Sequence, residues 1–468
     1  MTDPRKLLAT LRAWLFAQPA ALARETDAAA IAAYRVAFGL MMTVSAGRFL
    51  YYGWVDELFV KPRFFFKYWA LSWVPVPSAT VVHGIFWALA ALGIMVAAGL
   101  FYRASMAALF VLFGWVQAMD VTNYLNHYYL VALLALLMTT MPLGRTWGLD
   151  GVLFGNKRTT LPRWCTTVLR FQVAIVYVFA AMAKATPDWL LHGEPLRIWL
   201  AARTGLPIIG WLFALPGAAV LMSWAGFLYD ATIWIFMLQK RTRPFAYVAV
   251  IGFHAMTRAL FPIGMFPVIM VVTALVFFDP SWPRAVLARL RKKRDVAQVP
   301  TATSPIRLRT PALVLLAAYA LVQVAVPLRS LAYGGNVLWH EQGMRFSWRV
   351  MCREKNASVT YWIEDRTTHR TFVATPAAYL TDRQLREFST QPDLVLQLAH
   401  HVAADFRKRT GHEVSVRAEV RASLNGRPSV LLLDDARDLE QVEDGLAPNT
   451  FVRPSPEGAP PSIEPVHA

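Results

Sequence analysis

Lys184 is the residue whose type and setting invite chemistry. It stands near the far end of residues 169–189, an apolar stretch of membrane-spanning length that leaves through Pro187, Asp188 and Trp189. A cation in such a segment is expensive, so it either snorkels to the interface or has a function. The functional alternative is proton transfer by an amine kept from water. Other polar groups sit in or beside apolar runs: Asn126 with His127, His254 with Arg258, and Trp339, His340, Arg345 and Trp348. Each has a plainer reading as well. His127 suits an interface position at a helix start, His254 a packing role, Arg258 a snorkelling anchor, and the tryptophans an interface belt. Asp230, inside its own apolar run, reads as a partner for a neighbouring helix.

The elements that must position these residues follow from composition. Hydrophobic residues make up 56% of the chain and mean hydropathy is +0.38, too high for a soluble protein of this length. Apolar runs of spanning length make it an α-helical polytopic membrane protein. The formal net charge of +17 falls in short clusters between those runs. That is the pattern of the positive-inside rule, so the charge reads as topology and not as nucleic-acid binding. Two cysteines, Cys165 and Cys352, are too few for a disulfide scaffold or a thiolate metal site.

About nine spans are expected, near 30–51, 80–101, 105–120, 128–143, 169–189, 209–238, 245–259, 264–279 and 311–328. An odd count puts the termini on opposite sides. Basic clusters at 1–28, 103, 145–163, 240–243 and 284–309 share the N-terminal side, which gives N-inside and C-outside. Lys184, Asn126, His127, His254, Arg258 and residues 339–348 then all reach the outer leaflet from separate elements. Such convergence is what a site requires.

Residues 1–28 read as an amphipathic interfacial segment and 29–330 as the transmembrane unit. Residues 335–447 read as a small extracytoplasmic α+β domain, and 448–468, rich in proline, as a disordered tail. Within the α+β domain, strands are expected at 344–352, 357–364 and 370–375, a helix at 391–409, and a hairpin around Asn425-Gly426. There is no HxxxH or CxxC spacing, no phosphate-binding loop and no nucleophile elbow. No metal is expected.

Several segments resemble the vitamin K-dependent γ-glutamyl carboxylases. They are Ala174–Lys184 followed by Asp188-Trp189, Asn126–Leu130, Phe101–Ser105, Trp147–Gly151, Phe253–Met256, Phe261–Phe266, Asn336–Trp339 and Phe346–Met351. The resemblance implies an enzyme of the carbon–carbon lyase class. Such an enzyme oxidises reduced vitamin K (a phylloquinol or menaquinol) with O₂ to the epoxide, and couples this to carboxylation of a peptide glutamate with CO₂. It implies Lys184 as the base that deprotonates the hydroquinone, and Asn126 and His127 as the family's active-site pair. His127 is then linked to the glutamate carbanion or its carboxylation. His254, Arg258, Arg345, Trp348 and Met351 become candidate contacts for quinone or carboxylate, an arginine suiting the latter.

The partners implied are a Glu-containing protein or peptide, the lipid bilayer and a vitamin K epoxide reductase. The setting implied is a bacterial inner membrane with the site facing the periplasm. The chain also departs from animal members, which have two adjacent lysines where this one has Ala183-Lys184, a larger soluble region and a disulfide without counterpart here. Propeptide recognition therefore stays open. So do two other readings, a quinol monooxygenase that carboxylates no protein and a non-catalytic quinone- or lipid-binding membrane protein.

Overall fold

The computed structural model describes residues 19–291 and 308–461. The amphipathic segment expected over 1–28 lies largely outside the described residues. Each of the nine apolar runs forms a helix: α1 Ala29–Tyr51, α2 Ala79–Ala98, α3 Tyr102–Met119, α4 Asn126–Thr139, α5 Arg163–Lys184, α6 Ala218–Leu238, α7 Arg243–Leu260, α8 Phe266–Ala274 and α9 Thr310–Leu328. Five helices are long and apolar enough to cross a membrane: α1, α2, α5, α6 and the Thr310–Ala332 unit that contains α9. The α8 segment and helix Trp282–Leu290 make a sixth candidate, bent by 97°. Length and composition alone thus support fewer crossings than the nine expected, because α3, α4 and α7 fall short of that standard.

Backbone chemistry explains several junctions. Helix α2 stops at Gly99, whose φ of 65° is the left-handed conformation that ends helices. Gly39 on α1 and Gly93 on α2 let those helices touch, since a Cβ on either would meet backbone or a threonine hydroxyl at 2.5 Å. Buried Arg35 and half-buried Arg170 satisfy carbonyls that helix ends leave open. Arg35 donates to the carbonyls of Leu143 at 2.9 Å, Trp147 at 2.8 Å and Ala97 at 3.2 Å. Arg170 does the same for Val276 and Phe278, each at 2.8 Å.

The two ends of the bundle differ. At one, strand β1 (Glu25–Asp27) pairs with β2 (Thr160–Pro162), and Arg284 binds Asp27 at 2.8 Å. At the other sits the C-terminal unit, a four-stranded antiparallel sheet of order β4-β3-β5-β6. Its strands are β3 Lys355–Asp365, β4 Thr371–Ala374, β5 Val414–Leu424 and β6 Val430–Leu431, with helices α10 Asp382–Phe388 and α11 Pro392–Thr410. Strand β5 buries Val414, Val416, Ala418, Val420, Ala422 and Leu424, every second residue, against α11. Asn425 and Gly426 take φ of 51° and 78°, and Arg427 N donates to Leu424 O at 3.1 Å, the hairpin turn expected of that dipeptide.

The unit is latched to the bundle. Gln384 donates to Phe64 O at 2.8 Å and Asp120 Oδ2 at 2.9 Å, and Gln397 exchanges two hydrogen bonds with the Lys67 backbone. Arg427 grips both oxygens of Asp188 at 2.7 and 2.8 Å.

Two expectations are corrected. Residues 344–352 are a loop and not a strand, because Phe346, Trp348 and Met351 all have positive φ and cannot extend a ladder. The tail begins later than residue 448. Phe451 is buried and Val452 bridges Leu433, so the packed unit continues through those residues.

Lys355 pins the base of the sheet. Its fully buried amine donates to the carbonyls of Trp339 and Thr390, each at 2.5 Å, and to Glu341 at 3.1 Å. Burial pushes the ammonium down to about 8, with Glu341 pulling the other way. Lys355→Met should therefore leave three acceptors poorly matched and cost about 3 kcal/mol. The thermal midpoint of detergent-solubilised protein reads this loss.

Candidate active site

Lys184 is the last residue of α5. A helical side chain leans toward its own N-terminus, so the amine turns back into the bundle instead of out to the interface. There Nζ donates to Asp230 Oδ2 on α6 at 2.7 Å, with both side chains under 10% exposed. A buried charge needs such a partner. Trp189 closes the space above, its ring 5.3 Å from Nζ and its indole N–H donating to Ser223 O at 2.7 Å.

The amine lines a narrow cavity of about 90 Å³ with Asp230, Trp189, His254, Met270 and Met351. His254 is 2% exposed, and neither ring nitrogen has a hydrogen-bond partner among the described residues. A second cavity, about 780 Å³, is lined by Asn126, His127, Arg48 and, from α10, Arg383 and Arg386. Asn126 is part of a small network, accepting from Tyr124 Oη at 3.0 Å.

The two cavities share a wall made of Ile263, Phe266, Val350 and Met351. Phe266 stands between the histidines, its ring centroid 5.5 Å from that of His254 and 5.8 Å from that of His127. Chemically, the arrangement offers a proton-transfer pair in an apolar chamber. Behind one thin wall lies a wider chamber edged by charges of both signs, Arg48, Arg383 and Arg386 beside Glu57, Asp382 and Glu387.

The sequence-derived candidates divide. Lys184 and His254 line the narrow cavity, Asn126 and His127 the wide one, and Met351 both. Arg345 lines neither, because it is paired with Asp393 at 2.6 Å. Trp348 is buried in the core and stacks on Tyr129 with ring centroids 4.9 Å apart. Arg258 is exposed on α7. Sequence reasoning did not single out Phe266, Arg383 or Arg386, and took Asp230 for a helix partner without naming Lys184. Opposite charges in two adjacent apolar runs were the available signal for that pair. Among the described residues no group of three or more His, Cys, Asp or Glu is placed to hold a metal ion.

Residues 23–282 match the HTTM domain family, and with the apolar helices this makes the chain an integral membrane protein. Residues 309–458 match the family described as vitamin K-dependent gamma-carboxylase, lumenal domain. The chain belongs to the vitamin K-dependent γ-glutamyl carboxylase family. No solved structure matches it.

Breaking the buried pair tests its role in the fold. Asp230→Leu strands an ammonium among apolar groups and should cost about 3–5 kcal/mol. The double variant with Lys184→Met should recover most of that loss. Thermal midpoints of the three proteins in one detergent decide it.

Proposed function

We propose that this protein is a vitamin K hydroquinone-dependent γ-glutamyl carboxylase in which Lys184 takes the first proton. Membership of the family implies use of reduced vitamin K, O₂ and CO₂ on glutamate-containing substrates. The observation that carries the finer reading is the pair of cavities divided by Phe266 and Met351, one holding Lys184 and the other His127.

A reduced naphthoquinone matches the lining of the narrow cavity by its chemistry, and the space of about 90 Å³ would have to widen to admit the ring. The walls are mostly apolar and aromatic, and among the described residues both buried nitrogens of His254 lack a partner that a hydroxyl would supply. Lys184 and His254 would hold the polar edge, and Trp189, Met270 and Met351 the ring faces. When bound, the reduced quinone supplies electrons to O₂ and, through its oxidation, a base far stronger than any side chain.

The chain's own groups do the rest. The Lys184–Asp230 pair is neutral overall whether the shared proton rests on Nζ or on Oδ2. With the proton on Oδ2, the Lys184 lone pair is free to accept a proton at Nζ. The charge Nζ gains is not offset by the neutral carboxyl, so it would be balanced by the negative charge left on the hydroxyl that gave the proton. Trp189 and Phe266 keep water from the pair, which guards strongly basic species against quenching. In the wide cavity, Arg383 and Arg386 suit the carboxylate of a glutamate side chain, with Asn126 and His127 deeper toward the wall.

In this reading residues 29–330 are the membrane unit, with the N-terminus inside and the C-terminal unit outside. Segregation of basic residues such as Arg145, Arg158, Lys240 and Arg284 away from the C-terminal unit supports that orientation. In a bacterium the wide cavity would then open to the periplasm. A Glu-containing protein would arrive there, and a vitamin K epoxide reductase would return the quinone to its reduced form.

Purified protein given reduced vitamin K and O₂ should form epoxide, and Lys184→Ala should lower that rate by about 10³-fold. A Glu-containing peptide should incorporate labelled CO₂ in the same assay. Epoxide without incorporated label would instead establish a quinol monooxygenase. No epoxide at all would remove both enzymatic readings.

A further inference from the structure

A second charged cavity lies at the opposite end of the bundle, with the β1–β2 pair and far from Lys184. The loop before α3 and the segments 142–145 and 150–158 enclose an open space of about 500 Å³. Arg103, Arg145 and Arg158 all line it. Among the described residues none of these guanidinium groups has a carboxylate within 4.0 Å or a side-chain hydrogen bond. The one carboxylate in the cavity, Asp150, is already committed. Its oxygens accept from Phe101 N at 2.6 Å and Tyr102 N at 2.9 Å, where α3 begins. Among the described residues the cavity therefore presents three cations without ion-pair partners against one carboxylate.

Its rim is apolar and open. The short helix Leu149–Leu153 and the residue after it leave Val152, Leu153 and Phe154 about three-fifths exposed, at 63%, 60% and 59%, and Phe101 across the cavity is 55% exposed. Nothing in a dissolved phosphate would use that rim, whereas an acyl chain would. The walls are also braced from within, since Arg35 fixes the carbonyls of Ala97, Leu143 and Trp147 behind them.

We propose that this cavity binds the headgroup of an anionic phospholipid of the leaflet it faces. The phosphate sits among Arg103, Arg145 and Arg158, and the acyl chains lie along Phe101, Leu153 and Phe154. Arginines that only set topology can lie anywhere on the correct side. These three converge on one walled space beside an apolar shelf.

The test uses the full chain in a neutral detergent, titrated with phosphatidylglycerol while its thermal midpoint is followed. Phosphatidylglycerol should raise the midpoint, and phosphatidylcholine and inorganic phosphate should not. Replacing one arginine, as in Arg158→Gln, should weaken the phosphatidylglycerol response about five-fold, and replacing all three with Gln about a hundred-fold. The lipid-free midpoint of Arg158→Gln should equal that of the parent, because the exposed side chain makes no hydrogen bond or ion pair among the described residues. If the triple variant fails to fold, the single variants carry the comparison. An equal response to phosphatidylcholine overturns the proposal, as does an unaltered response in the variants. A response to inorganic phosphate as strong as to the lipid would make this a phosphate site and overturn the lipid assignment.

Discussion

Two charges taken out of water and set against each other hold this structure together at its centre. Lys184 and Asp230 lie on adjacent helices, and neither can be buried without the other. Their contact fixes how α5 and α6 sit, and so fixes the narrow cavity between them. It also determines which state of the amine the cavity sees. A lone lysine in hydrocarbon would be forced to shed its proton or to reach for water. A paired one can hold or give up its proton while the pair stays neutral. That makes the site compatible both with an apolar ligand and with proton transfer.

Around the pair, the site is built at the seam between two units. Helices α4, α5, α6, α7 and α8 contribute its walls from the membrane side. The C-terminal unit contributes Val350 and Met351 from a loop, and Arg383 and Arg386 from α10. The loop 344–353 holds three non-glycine residues with positive φ. Such backbone persists only where surrounding contacts over-determine it. Here Phe346 N donates to Tyr124 Oη at 2.8 Å, and Trp348 is locked in the core on Tyr129. The wall between the cavities is thus rigidly framed, with a flexible methionine at its edge.

Much of this was legible in the sequence, and the residues show where legibility stopped. Apolar runs located all nine helices, and the Asn425-Gly426 dipeptide located its turn. Hydropathy also ranked residues by depth, which is why Lys184, His254 and His127 were found together. Depth carries no information about direction around a helix axis. Arg258 shares the depth of His254 but points away, and Arg345 is claimed by Asp393. Asp230 looked unremarkable because a charge in a helix advertises the need for a partner and not which partner. The loop 344–352 alternates apolar and polar residues, which imitates the pattern of a strand, yet its burial does not alternate, since Ser347 and Trp348 are both buried. Phe266 was invisible as a site residue because an aromatic in an apolar run is ordinary. What sets it apart is its place between two histidines from distant segments.

The fork between Arg427 and Asp188 has a further consequence. Asp188 follows Lys184 by four residues, and Arg427 directly follows the Asn425-Gly426 turn. A two-nitrogen, two-oxygen contact fixes rotation as well as distance. The C-terminal unit is therefore keyed to the end of the lysine helix like a cap seated on a splined shaft. Together with the contacts of Gln384 and Gln397, this joint sets the angle of the unit on the bundle. A C-terminal domain of a different size could be seated on the same helix end, provided that the hairpin keeps its arginine and the helix end keeps its aspartate.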